Sequence, residues 1–152
     1  MENNTHAPRL DMQAATPKVY AAMAGFQKAT QESDLDAGLR ELIVVRASQI
    51  NGCAFCLDMH IREARSLGIP DHRLHLLCVW REAPGFSEAE RAALELTEAV
   101  TRIADGGVPD ALYEKVRRHY SEEQYVGLLT TINAINAWNR FMIALGAVPP
   151  QR

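Results

Sequence analysis

Helix punctuation constrains this chain more than any other feature. Its apolar residues recur three or four positions apart, and each such run is bracketed by start and stop residues. Thr16-Pro17 reads as an N-cap with proline at the first helical position, ahead of Val19, Ala22, Met23, Phe26 and Ala29. Asp36 opens a second helix, whose Leu39, Leu42, Ile43, Val45, Arg46 and Ile50 form an interrupted apolar stripe ending at Asn51-Gly52. A third is expected over about 53–67, stopped by Gly68 and Pro70, and a fourth over about 71–82, closed by Pro84-Gly85. Ser87 with Glu90, and Ser121 with Gln124, are capping boxes for helices over about 88–104 and 122–145. Between them Pro109-Asp110 starts a helix to about His119. The Val/Ile-rich run 42–45 sits inside a helical period, so no strand is expected. The expectation is one all-α domain over 16–152, a compact bundle of about seven helices, preceded by a loose arm over 1–15.

The 152 residues suffice for a core without metal or disulfide staples. With 47% apolar and 23% charged residues the chain is ordinary for a globular protein, and a net charge of −3 gives no general pull toward nucleic acid or anionic lipid. No run approaches the ~20 apolar residues of a membrane span. The stretch MENNTHAPRL lacks the basic and apolar regions of a signal peptide, so the cytoplasm is the expected compartment. Three cysteines, two of them in a C-x-x-C spacing, suit catalysis or metal binding in a reducing compartment better than a disulfide scaffold.

The segment ELIVVRASQINGCAFCLDMH, from Glu41 to His60, carries the chemistry. At 100° per residue, Cys53, Cys56 and His60 fall within roughly 60° of one helical face. Glu41 lies about 11 residues before the Asn51-Gly52 turn and His60 about 8 after it. In an antiparallel pair their heights then differ by only about 5 Å. The cysteines occupy a helix's first turn, where free N–H groups and the positive dipole end favour a thiolate. Such a thiolate attacks a peroxide O–O bond and becomes a sulfenic acid, which a second thiol converts to a disulfide. His60 is placed to handle the proton and Glu41 to hold the imidazole.

Each residue has a plainer reading taken alone. C-x-x-C also binds zinc, although the remaining candidates, Cys78, His72 and His75, lack ligand spacing. His60 alone reads as structural, and Glu41 alone as a solvated helix residue. Cys78, beside Leu74 and Leu77, reads as a core or interface residue, and His72, His75 and His119 as surface residues. Arg46 and Gln49 are weak candidates for a pocket wall. The amides of 133–139 read as a polar stripe at a subunit contact, and Leu128, Ile132, Ile135, Trp138 and Phe141 as apolar surface for self-assembly.

Glu41, Cys53-Ala54-Phe55-Cys56 and His60 together resemble the E-x(11)-C-x-x-C-x-x-x-H signature of the alkylhydroperoxidase D (AhpD)-like branch of the carboxymuconolactone decarboxylase family. Arg40-Glu41-Leu42 and Asn51-Gly52 extend the resemblance, which spans residues 16–146. Where AhpD proteins can carry a histidine between the cysteines, this chain has Phe55. The decarboxylase branch typically lacks the C-x-x-C.

The resemblance implies an all-helical thiol peroxidase acting on hydrogen peroxide or organic hydroperoxides without metal or other cofactor. Cys56 would be peroxidatic, Cys53 resolving, and Glu41 with His60 the proton relay. It implies a homotrimer or homohexamer and a dithiol electron donor of lipoyl or thioredoxin-like type. A disulfide-switch interaction protein and a decarboxylase-like enzyme remain the alternatives.

Overall fold

The computed structural model describes residues 7–151 and contains, among them, eight α-helices and no strand. These are α1 (Met12–Ala15), α2 (Pro17–Ala29), α3 (Ala37–Asn51), α4 (Ala54–Ser66), α5 (Asp71–Leu76), α6 (Glu88–Thr101), α7 (Asp110–Arg117) and α8 (Glu122–Leu145). None of the described helices is long and apolar enough to cross a membrane.

The expected caps account for most of the boundaries. Asp36 accepts the Leu39 amide, and both capping boxes are closed in each direction. Gly52 ends α3 at φ 70°, the left-handed region that favours glycine, and turns the chain straight into α4.

Three local expectations are corrected. Thr16 precedes α2, but its side chain does not cap it. The short α1 behind it presents the Met12 carbonyl, and Thr16 Oγ1 donates there instead. The fourth helix stops at Leu76 and tightens into a 3₁₀ turn over Leu77–Val79. With three residues per turn, Leu77 and Trp80 then share one face, and both are buried. That change of phase puts Cys78 on the outside of the chain, so of the two expected placements, core or interface, it does not take the core.

The segment expected as a loose arm falls partly on residues 1–6, outside the described residues. Over the remainder, Met12 is buried in α1, and the Arg9 amide donates to the Leu145 carbonyl at 2.8 Å.

Helix α3 is the axis of the bundle. Residues 42–45 successively point about 100° apart, and all four are buried. One side of α3 packs Leu39 and Ile43 against Leu96, Val116, Leu128 and Ile132 of α6, α7 and α8. Another packs Leu42 and Val45 against Leu74, Leu77 and Trp80. A third, Val44 and Ala47, meets Cys53, Cys56 and Ile135. Leu128, Ile132 and Ile135, expected as assembly surface, therefore belong to the chain's own core.

Candidate active site

The tight Gly52 turn lays α4 back against α3 and brings their chemistry together. Cys53 is the N-cap of α4, and its sulfur accepts the Cys56 amide at 3.4 Å. The two cysteines come within 2.9 Å of each other, both are free thiols, and both are buried. One turn further, His60 Nδ1 lies 3.0 Å from Glu41 Oε2 across the helix pair. The four residues singled out from spacing thus share one helix–helix seam.

Their exposure to solvent space differs. A cavity of about 690 Å³ opens on Cys56 and His60, with Phe55, Met59, Ile135, Trp138 and Met142 among its walls, and Cys53 does not line it.

The amides of α8 are the polar residues that sequence reasoning misplaced. Asn136 and Asn139 are buried inside the chain, not displayed at a subunit contact, and only Asn133 of the three is exposed. Asn51 Nδ2 donates to both Asn136 Oδ1 and Asn139 Oδ1 at 2.9 Å. Asn139 Nδ2 donates to Ser48 Oγ at 3.1 Å, and Asn136 Nδ2 to Thr101 Oγ1 at 3.0 Å. Asn139 also favours the ionised form of both cysteines. The available signal was positional: Leu128, Ile132, Ile135 and Asn139 continue one apolar stripe, and an amide on such a stripe needs buried partners.

The pair shares its protons unequally. The Cys56 thiol donating to Cys53 outweighs the cost of burial and, with the Cys56 and Phe55 amides and Asn139, brings Cys53 down to about 6. Cys56 is pushed up for the complementary reasons: it gives that hydrogen bond, it is buried, and a thiolate lies beside it. The two shifts run in opposite directions, favouring the charge on Cys53 and the proton on Cys56.

One thiolate per chain is accordingly expected to appear in an ultraviolet titration around pH 6. Replacing Cys56 with alanine removes the main stabilising donor and should move that transition up toward the ordinary thiol range. A titration unmoved by Cys56→Ala would show that the shared proton does not set the charge.

Arg46 and Gln49, the weak candidates for a pocket wall, hydrogen-bond each other, and Arg46 pairs with Glu98. Neither lines the cavity. His72, His75 and His119 are exposed, as expected.

The sequence profile of the carboxymuconolactone decarboxylase family matches residues 17–99. The uncharacterized protein YdfG of Bacillus subtilis is 46% identical over 138 residues, covering 91% of this chain and 94% of YdfG. A solved structure from Agrobacterium tumefaciens, of a protein of unknown function provisionally named an antioxidant defence protein AhpD, is 40% identical. It superposes with a TM-score of 0.93, covering 96% of this chain and all of that one. An uncharacterized peroxidase-related protein from Ralstonia eutropha, 24% identical, shares the fold with a TM-score of 0.81 over 92% of this chain and 75% of its own. With more than half of its length matched by the family profile and close full-length similarity on both sides, the chain belongs to the carboxymuconolactone decarboxylase family, in its AhpD-like branch.

Proposed function

We propose that the protein is a thiol peroxidase that reduces hydrogen peroxide or organic hydroperoxides through a Cys53/Cys56 dithiol–disulfide cycle. The observation that supports this reading is the arrangement at the cavity: Cys56 lines it together with His60, which Glu41 holds at 3.0 Å, and Cys53 lies 2.9 Å from Cys56.

The chemistry runs in two balanced steps. Cys56 passes its proton to His60, and its sulfur attacks the distal peroxide oxygen. The O–O bond breaks, Cys56 becomes a sulfenic acid, and the departing alkoxide takes a proton delivered by His60. Cys53, already a thiolate, then attacks the Cys56 sulfur. The S–S bond forms, and hydroxide leaves as water once protonated. An external dithiol returns the disulfide to two thiols, and the donor is itself oxidised to a disulfide.

His60 suits the relay because Glu41 holds Nδ1, leaving Nε2 as the ring's other proton site. His60→Ala or Glu41→Ala is expected to slow the peroxide step by roughly 10²-fold, the usual scale for lost acid–base help. Stopped-flow peroxide consumption measures this, with helix content as the check on folding. A change of less than threefold in both variants would remove the pair from the mechanism. The reading as a whole is tested by peroxide turnover against a panel of lipoyl and thioredoxin-like dithiol donors.

Self-assembly belongs to the same proposal. Helix α2 buries none of its residues and leaves Val19 and Phe26 exposed at helical spacing, an apolar face that a second copy would cover.

A further inference from the structure

His60 Nδ1 can give only one proton, yet two carboxylates converge on it. Glu41 Oε2 stands at 3.0 Å and Glu63 Oε2 at 3.3 Å. The three donor atoms all lie within 4.8 Å of one another. Zinc bound by imidazole nitrogen and carboxylate oxygen takes bonds of about 2.0–2.2 Å, so ligand atoms on a tetrahedron stand roughly 3.3–3.5 Å apart. Two of the three edges are already within a few tenths of an ångström of that value.

The surroundings suit a cation as well. His60 is buried and Glu41 nearly so, which fixes two ligands, while Glu63 is half exposed and free to complete the set. His60 and Glu63 line the 690 Å³ cavity, and Glu41 and Glu63 line a second cavity of about 370 Å³. A cation there has a path from solvent and space for a fourth, water ligand.

We propose that Glu41, His60 and Glu63 bind a divalent cation of the zinc type, and that its occupation reversibly arrests the peroxide step. Binding follows from the donor set alone. The arrest rests on the proposed peroxidase reading, because the cation takes the nitrogen and carboxylate that would hold the relay in place. Glu63, which the proposed reaction does not use, becomes the residue that tunes this inhibition.

The test uses Zn²⁺ alone, measured by competition with a chromophoric chelator. The protein is the full-length double variant Cys53→Ser/Cys56→Ser, so that thiols contribute nothing. One zinc per chain in the micromolar range is expected, weakened at least tenfold by adding Glu63→Ala, the scale on which site residues control affinity. Helix content confirms that each variant is folded. No zinc bound by the double variant, or affinity indifferent to Glu63, overturns the site. In the otherwise unaltered protein, micromolar zinc should suppress peroxide consumption and a chelator should restore it. The zinc concentration for half-inhibition should rise at least tenfold in Glu63→Ala. Zinc that binds through Glu63 but leaves consumption untouched overturns the arrest. A protein that binds zinc this way yet consumes no peroxide keeps the site and loses the peroxidase reading.

Discussion

Cys53→Ser is expected to consume one peroxide per chain and stop, whereas Cys56→Ser is expected to consume none. The asymmetry comes from placement rather than from acidity. Cys53 carries the resting negative charge, which by reactivity alone would make it the attacking sulfur. It does not line the cavity, however, whereas Cys56 does beside His60, and the proposed reaction therefore sets the peroxide against Cys56. In Cys53→Ser the first step still runs through Cys56 and His60, but no thiol is left to displace the hydroxyl. The sulfenic acid should persist and be trapped by dimedone on Cys56. In Cys56→Ser the remaining thiol does not line the cavity, so adduct formation on Cys53 should be negligible at matched peroxide. Ready labelling of Cys53, with none on Cys56, would exchange the two roles. The intact protein, supplied with a competent dithiol, should pass many equivalents of peroxide. Stopping after one would identify a switch rather than an enzyme.

The second large effect concerns a residue that does not line the cavity. Glu98→Ala is expected to destabilise the fold by about 3–5 kcal/mol, the scale of removing one partner from a buried ion pair. Glu98 is buried on α6 and takes hydrogen bonds from three sides: Arg46 Nε of α3 at 2.9 Å, Trp80 Nε1 at 2.8 Å, and Arg81. Without the carboxylate, Arg46 keeps a largely buried charge without its counterion, and the Trp80 N–H loses its acceptor. Arg81 is half exposed and adds little to the loss. Urea unfolding followed by circular dichroism should show the midpoint falling sharply with little change in slope.

The pH dependence has a definite sign. Burial pushes the Glu98 carboxyl up, but hydrogen bonds from Arg81, Trp80 and Arg46 outweigh it and hold the group below its usual value. Its contribution is therefore complete above the ordinary carboxylate range and lost as pH falls through the depressed folded value. Glu98→Ala should lose that part of the acid sensitivity. A midpoint within 0.5 kcal/mol of the parent, at neutral pH, would contradict the role given to this cluster (~0.5 kcal/mol being the usual scatter for surface changes).

What the sequence made legible was local. Asp36, Ser87, Ser121, Gly52 and Gly146 act through neighbours two to four positions away, so their chemistry can be read without knowing the fold. The Glu41–His60 contact was legible for a related reason: one tight turn between two helices converts spacing directly into distance. The errors lie where distant segments decide. Cys78 was turned outward by a 3₁₀ turn that burial of Leu77 and Trp80 accompanies. The Asn51–Asn136–Asn139 network joins residues some 85 positions apart, and the Glu98 cluster joins α6 to α3 across 52. The proton on Cys56 and the charge on Cys53 depend on side-chain hydrogen bonds that a helix-dipole argument treats as equal for both.

The burial of α3 on every side divides the walls of the site by how fast they can move. A helix locked between three packed surfaces opens only when most of the domain does, so Glu41, and the Ser48 and Asn51 groups that brace the cysteine turn, are held on the slowest timescale of the molecule. Another wall includes Pro8, residues 10–13, and Tyr20, Ala24 and Gln27 of α2, a helix with no fully buried residue. Peroxides of different bulk would then be accommodated by displacement of that wall, while the sulfur, the imidazole and the carboxylate keep their mutual geometry.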